Sequence, residues 1–217
     1  MLRRRREPGS RPTDSAGPAR RTGRGRRGER GAALTELVLI VPVLALIVCG
    51  VLEFGMAWRD SMTVSNALRS GARVGSNMGD DRYADYDIIK AIEAAMREIP
   101  DTARVQRLVI YRASTSNSAP TASCMAGIPS SGTNPCNVYT GADLARLKAD
   151  FAGTTSCDGT SPDRFWCPTS RQNEQALGAD YLGVWMQVQY NWITHMFPGT
   201  GLTIKDRAIM RLEPRLD

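Results

Sequence analysis

The sequence predicts an α+β fold in which a long N-terminal transmembrane helix extends into a small antiparallel-sheet domain with a disulfide-bearing loop. Three observations support this prediction. Residues 37–52, LVLIVPVLALIVCGVL, are sixteen residues without a charge. Three segments further along the chain alternate apolar and polar residues, as half-buried strands do. Four of the five cysteines lie between the first two of these segments.

The positive charge of the chain is concentrated at its N-terminus. Residues 1–30 hold eleven arginines and three acids, a net charge of +8, whereas the whole chain of 217 residues carries +6. Because this arm has little to bury, residues 1–31 are predicted to be a disordered, Arg-rich leader. Such an arm can bind nucleic acid through phosphates, but basic residues directly before an apolar run are typical of the cytoplasmic side of a membrane helix. We therefore expect a cytoplasmic leader and no nucleic-acid partner.

The apolar run is long enough to cross a bilayer. Twelve of its sixteen residues are Leu, Ile or Val, which together contribute about −5 kcal/mol to insertion. With its flanks the segment covers residues 32–58, and about 20 helical residues cross a hydrocarbon core. One alternative is a buried core helix, for which the polar remainder offers little cover. The other is a cleaved secretory signal, but no small-x-small site follows the run.

Helical periodicity continues beyond the apolar run. Between residues 59 and 78, apolar and small residues recur at the spacing of one helix face: Val64, Ala67, Leu68, Gly71, Val74 and Gly75. Gly71 and Gly75 form a small-xxx-small pair that lets another helix approach closely. The sequence thus predicts one helix from Ala33 to about Met78, with residues 59–78 as its extracytoplasmic extension.

Two carboxylates border the apolar run. Glu53 is expected at the outer headgroup level, beside Trp58 and Arg59. Glu36 has apolar residues on both sides, and an ionisable group in a membrane segment is a functional candidate by default. The alternative for Glu36 is that it reaches the inner interface.

Residues 79–217 are expected to form an extracytoplasmic α+β domain. Helices are predicted from about Tyr83 to Ile99, ending at Pro100, and over Thr140–Phe151. Strands are predicted at residues 104–113, 182–192 and 202–212. Widely separated strands preceded by helices indicate an antiparallel sheet, on which the outer half of the long helix packs.

The polar stretch of residues 114–180 contains Cys124, Cys136, Cys157 and Cys167. Four cysteines permit three pairings, and sequence order and short loops favour Cys124–Cys136 and Cys157–Cys167. A zinc site is the rival, but the chain has no C-x-x-C and one histidine, so no metal is expected. Disulfides require an oxidising compartment, which agrees with the orientation inferred from the arginines.

The sequence contains no recognisable catalytic constellation. His195, the single histidine, lies at a predicted strand–loop junction, where packing or surface roles are commoner than catalysis. There is no G-x-S-x-G, phosphate-cradling glycine loop or H-E-x-x-H. Trp166, Trp185 and Trp192 are expected in the core. We therefore expect a protein that is not an enzyme and has no cofactor.

The segment Gly31-Ala32-Ala33-Leu34-Thr35-Glu36, followed by an apolar helix with an early proline, Pro42, resembles the processing site of type IV prepilins. In those proteins a membrane aspartic peptidase cuts after the glycine, and the fifth mature residue is a glutamate. The resemblance implies a cut between Gly31 and Ala32, which places Glu36 fifth. A carboxylate buried in lipid is costly unless paired, and the α-amino group of a neighbouring subunit would be its partner.

More particularly, the chain resembles the TadE-like pilus assembly proteins. That family shows an R-G-x-A-x-x-E start, an E-F-G or D-F-G turn and an A-x-x-G-A-R segment, which Arg30–Glu36, Glu53–Gly55 and Ala67–Arg73 match in order. The similarity implies a pilin-like component of the tight-adherence (Flp) pilus system in the cytoplasmic (inner) membrane. Its implied partners are the lipid bilayer, pilin-like subunits, the assembly machinery and the prepilin peptidase.

The resemblance and the glycine pair together assign six residues to helix packing: Glu36, Pro42, Glu53, Gly71, Arg73 and Gly75. The alternative function is a binding domain on an uncleaved signal anchor, which presents residues 114–180 to an external ligand.

Overall fold

The structure is a computed structural model that describes residues 25–97, 104–151, 157, 159–174, 178–194 and 197–214. Its elements are, in chain order, α1 (Gly25–Met78), α2 (Ala84–Ala95), β1 (Val105–Ala113), α3 (Ala122–Ala126), β2 (Cys136–Tyr139), β3 (Tyr181–Asn191) and β4 (Gly201–Arg211). Short 3₁₀ turns lie at Gly141–Ala145, Lys148–Phe151 and Pro168–Ser170. The predicted α+β class, with a long apolar helix before a small antiparallel sheet, is confirmed.

The chain divides into two compact units, residues 1–46 and 47–217. In the first unit the described residues belong to α1, which begins at Gly25, before the predicted start at Ala33. The predicted disordered leader falls, up to residue 24, outside the described residues. The second unit, called the body below, contains the rest of α1 and all other elements.

The sheet of the body has the order β2-β1-β3-β4, and all three neighbouring pairs are antiparallel. Strands β1, β3 and β4 lie within one residue of their predicted bounds. The sequence did not predict β2, because four residues are too few to show alternation. Its position comes from pairing with β1, where Val109 lies opposite Val138 and Tyr111 opposite Cys136.

One face of the sheet packs against α1 and α2. The predicted inner face of β3 is almost fully buried: Val184, Met186, Val188 and Tyr190. It shares one hydrophobic core with Val64, Ala67, Leu68 and Ala72 of α1 and with Ile88 and Ile92 of α2. The outer half of α1 therefore packs on the sheet, as its periodicity predicts.

A smaller cluster covers the other face of the sheet. It combines Val109, Tyr111 and Trp185 with the half-cystines Cys124 and Cys136. The hydroxyl of Tyr111 donates a hydrogen bond to the carbonyl of Ser118 at 2.8 Å. Burial raises the pKa of Tyr111 to about 12. The polar stretch between β1 and β3 thus folds back over the sheet.

Two predicted helices differ from the observed elements. Helix α2 ends at Ala95, with Met96 as its C-cap, and the predicted end at Ile99 lies outside the described residues. The segment Thr140–Phe151 forms two 3₁₀ turns. They are separated because Arg146 adopts an extended backbone (φ −59°, ψ 148°), while Asp143 accepts hydrogen bonds from the amide and hydroxyl of Thr140 and from Arg146.

The two glycines near the end of α1 allow α2 to approach. A Cβ atom on Gly71 would lie 2.7 Å from Cγ1 of Ile92, and one on Gly75 would lie 2.7 Å from Cδ1 of Ile88. Real Cβ atoms do not come this close to a neighbour, so a side chain at either position forces the isoleucines to move. The backbone of α1 is therefore in direct contact with α2.

Gly75→Val is expected to lower the free energy of unfolding of the body by about 1–3 kcal/mol, because the added methyl groups overpack the contact with Ile88. The matched control is Gly55→Val on the same helix, since a Cβ there meets nothing within 4 Å. The measurement is denaturant unfolding of the full-length protein in detergent, followed by near-ultraviolet circular dichroism. Equal loss of stability in both variants would contradict the close contact.

Candidate functional site

The first part of α1 exposes aliphatic side chains in all directions. These side chains are between 47% and 75% exposed: Leu34, Leu37, Val38, Leu39, Ile40, Val41, Val43, Leu44 and Leu46. A helix that is apolar all round requires apolar surroundings. Helix residues Gly31–Met78 include a window long and apolar enough to cross a membrane, and 6% of that window is buried by the protein. One N-terminal apolar helix could therefore span a membrane.

The predicted processing residues lie on the exposed surface of this helix. Gly31, Ala32 and Glu36 are all exposed, and a Cβ atom on Gly31 would meet nothing within 4 Å. The hydroxyl of Thr35 donates to the carbonyl of Ala32 at 2.8 Å. The glutamate follows Ala32 by four residues, so the two positions lie one above the other on one helix face. Pro42 lies inside the helix.

Glu53 is buried in the body, a contact that the sequence did not predict. Its side chain is 1% exposed. The hydroxyl of Tyr190 donates to Oε2 at 3.0 Å, and the backbone amide of Thr194 donates to Oε1. Burial, together with the neighbouring carboxylate, raises the pKa of Tyr190 to about 12. Glu53 thus ties α1 to the end of β3 within one chain.

Of the remaining residues assigned to helix packing, the two glycines face the body and the arginine is exposed. Gly71 and Gly75 face the isoleucines of α2, and Gly75 also lies against Leu182 of β3. The helix that this glycine pair admits is therefore α2 of the same chain. Arg73 is exposed on the same stretch of α1.

Two disulfides stabilise the polar stretch between β1 and β3. They join Cys124 to Cys136 and Cys157 to Cys167, the pairs that the short loops favour. Each closes a loop of about ten residues, which contributes on the order of 2–3 kcal/mol by limiting the unfolded chain. Because all four sulfurs are bonded in pairs, none is free to bind zinc. Cys49 in the apolar run has a free thiol.

The core of the body contains a charged pair that was not predicted from the sequence. The side chains of Asp85 on α2 and Arg171 are both 0% exposed, and Arg171 Nη2 donates to Asp85 Oδ1. Asp85 Oδ2 accepts from the hydroxyl of Tyr139 at 2.7 Å and from Nδ2 of Asn137 at 2.8 Å. The guanidinium carbon of Arg171 lies 4.2 Å from the ring centre of Trp166.

The same network fixes the loop that carries the second disulfide. Oδ1 of Asn137 accepts from the backbone amides of Phe165 at 3.1 Å and Trp166 at 2.8 Å. Asp163 is buried next to Ser161, and burial raises its pKa. Burial and the neighbouring Asp85 hold the pKa of Tyr139 well above its usual range. These groups join α2, β2 and the loop, and the side chains of Asp85, Asn137 and Tyr139 are fully buried.

The expectations for the aromatic residues and the histidine have different outcomes. Trp166 and Trp185 are buried, and Trp192 packs partly buried against the core. His195 lies outside the described residues. The charged network joins α2, β2 and the loop that carries the second disulfide, and it thereby positions that loop.

Arg171→Met is expected to lower the free energy of unfolding by about 3–5 kcal/mol, because it leaves the Asp85 carboxylate buried without its charge partner. The double variant Asp85→Asn/Arg171→Met should recover part of this loss. The exposed pair Arg146–Asp143 supplies the control, since Arg146→Met should cost at most about 1 kcal/mol. Unfolding curves of the full-length proteins measure all three, and equal effects of the two single variants would refute the buried charge pair.

Comparison with known proteins finds a family match for one segment of the chain. Residues 31–73 match the sequence model of a family described as TadE-like protein. The matched segment contains Gly31, Glu36, Glu53, Gly71 and Arg73. No curated protein and no solved structure matches the chain. The resemblance seen in the motifs is thus confirmed over residues 31–73, the segment that is similar to the TadE-like family.

Proposed function

We propose that the protein is a membrane-anchored, pilin-like assembly component of a Tad (Flp) pilus or a related type IV-pilus-like secretion system. The observation that carries the proposal is the TadE-like match over residues 31–73. It coincides with the part of α1 that exposes its aliphatic side chains and carries Glu36. The TadE-like family is typically structural, which supports a role in assembly over catalysis.

The orientation follows from charge and cysteine chemistry. The eleven arginines of residues 1–30 keep the N-terminus in the cytoplasm. The two disulfides of the body form in an oxidising compartment. Both arguments support a body on the extracytoplasmic side of the inner membrane, with one crossing by α1.

Processing would create the group that Glu36 needs. A cut between Gly31 and Ala32 removes the basic leader and gives Ala32 a free α-amino group. In lipid, an unpaired carboxylate at Glu36 costs several kcal/mol. Pairing with the α-amino group of a neighbouring subunit compensates for this cost. The two groups meet at only one axial displacement between the neighbouring helices. Glu36 therefore sets the register between neighbouring helices.

The two glutamates that border the apolar run have opposite roles. Glu53 is satisfied by Tyr190 and Thr194 of its own chain, so it serves the fold. Glu36 is exposed on the helix, so it is available to another subunit. Helix packing in lipid depends on van der Waals contact and on such polar pairs, and the exposed aliphatic surface around Glu36 supplies the contact.

Mass spectrometry of the protein isolated from membranes is expected to show a mature N-terminus at Ala32. Gly31→Val should leave the leader attached, because the peptidase requires the glycine before the cut. Gly55→Val is the matched control and should be processed normally. An intact arginine arm in the wild-type protein would contradict this processing and favour the uncleaved signal anchor with an external binding domain. A cut beyond Trp58 would contradict it as well and would indicate a cleaved secretory signal.

Glu36→Ala is expected to leave membrane insertion and the stability of the body unchanged and to reduce piliation strongly. Glu53→Ala should lower the free energy of unfolding of the body by about 1–3 kcal/mol, because Tyr190 and Thr194 lose a buried acceptor. Pilus counts by electron microscopy and unfolding of the purified proteins separate the two effects. Wild-type piliation in the Glu36→Ala strain would remove the register role of this carboxylate.

A further inference from the structure

The end of the sheet next to the apolar run carries aromatic and aliphatic side chains that are exposed or half-buried. We call this surface the rim, and it consists of Phe54 and Trp58 of α1 together with Trp192, Ile193, Phe197 and Leu202 of the β3–β4 region. Trp58 is 71% exposed, Phe54 and Ile193 are each 58% exposed, and Leu202 is 43% exposed. Exposed apolar patches of this kind mark interaction surfaces.

The rim is held in place by specific contacts with α1. The ring centre of Phe54 lies 6.2 Å from that of Trp192 and 6.0 Å from that of Phe197. The amide of Thr194 donates to the buried carboxylate of Glu53. Both ends of the β3–β4 connection are thereby fixed against the same two turns of α1.

The turn into β4 also requires its glycine. Gly201 has a φ of +146°, and a Cβ atom there would lie 1.7 Å from the carbonyl oxygen of Tyr190. Gly201 therefore enters β4 in a backbone conformation that a side chain would not permit. Together with the contacts of Phe54 and Glu53, this positions the described rim residues against α1.

The position of the rim along α1 suggests what covers it. A Cβ atom on Gly50 would lie 3.7 Å from Cζ of Phe197, and Gly50 belongs to the uncharged run 37–52. The rim thus begins beside the apolar run and ends near Trp58, which is about 12 Å further along the helix at 1.5 Å per residue. This interval has the dimension of one membrane–water interface with its adjoining acyl chains.

The composition of the rim fits a lipid interface. Trp and Phe side chains are favoured at the headgroup level, where an apolar ring surface meets a polar layer. A groove of about 370 Å³ opens beside Phe54 and Trp58, and its lining includes Leu202 and the exposed Lys205. A lysine in this position can place its ammonium group at lipid phosphates while its stem covers apolar surface.

From these observations we propose that the rim sits in the outer-leaflet interface of the membrane, so that the β3–β4 connection is a second point of membrane contact beside α1. The proposal rests on the membrane anchoring contained in the proposed function. The bilayer is favoured over another protein because Gly50, which lies beside Phe197, belongs to the uncharged run, so the rim adjoins an apolar part of α1.

The test uses the full-length protein reconstituted in vesicles of phosphatidylethanolamine and phosphatidylglycerol. A spin label is attached at Ile193→Cys in a Cys49→Ala background, because the other four cysteines form disulfides. The control label is at Ile128→Cys, which has a similar exposure of 63%. Ile128 belongs to the far end of the sheet, because it precedes Ser130, which bridges to Cys136 opposite Tyr111, and Tyr111 pairs with Gly183 at the start of β3.

Electron paramagnetic resonance then compares collisions of each label with oxygen, which concentrates in lipid, and with a water-soluble nickel complex. At residue 193 oxygen collisions should exceed nickel collisions, and at residue 128 the order should be reversed. The same water-like result at both labels would overturn the proposal. Low collision rates with both reagents at residue 193 would also overturn it, because they indicate cover by protein, such as a second copy of the chain.

Carbonate extraction of the same vesicles separates this proposal from the proposed function. If the protein resists extraction but residue 193 is water-exposed, the membrane anchor stands and the seating of the rim is refuted. If carbonate releases the protein, the membrane anchor itself is refuted, and the seating of the rim is refuted with it.

Discussion

The structure depends on two different requirements within α1. Its first part needs an apolar environment, and its last part contributes side chains to the core of the body. Val64, Ala67, Leu68 and Ala72 lie in one hydrophobic core with α2 and the sheet. Without them, the apolar faces of α2 and β3 would be exposed to water, which costs about 25 cal/mol per Å² of apolar surface. The last part of α1 is therefore part of the folding unit of the body.

Buried polar groups reinforce this arrangement at two places. Glu53 binds α1 to the end of β3, while the Asp85–Arg171 pair binds α2 to the disulfide-bearing loop. In both cases a charge removed from water is compensated within the chain, as buried charges must be. Glu36 is different, because it is exposed on the apolar part of α1. The contrast explains why we assign intermolecular pairing to Glu36 and structural roles to the other carboxylates.

The sequence predicted the features that depend on local pattern. The long helix, three of the four strands and the face of β3 that carries Val184 and Met186 follow from periodicity, and short loops indicated the disulfide pairs. Features that depend on tertiary contact were missed: β2 is defined by its pairing with β1, and the Asp85–Arg171 pair joins residues 86 positions apart. The burial of Glu53 was missed because its partners, Tyr190 and Thr194, come from the other end of the chain. The packing partner of Gly71 and Gly75 likewise became visible only when α2 was placed.

The central claim is that α1 crosses the membrane once and leaves the disulfide-bearing body outside the cytoplasm. A membrane-impermeant maleimide applied to spheroplasts that carry Ser116→Cys in the Cys49→Ala background tests it most directly, because Ser116 is exposed on the body. The account predicts full labelling of residue 116 before the cells are lysed, while thiols of a cytoplasmic marker protein remain unlabelled. Labelling of residue 116 only after lysis would place the body in the cytoplasm and contradict the account.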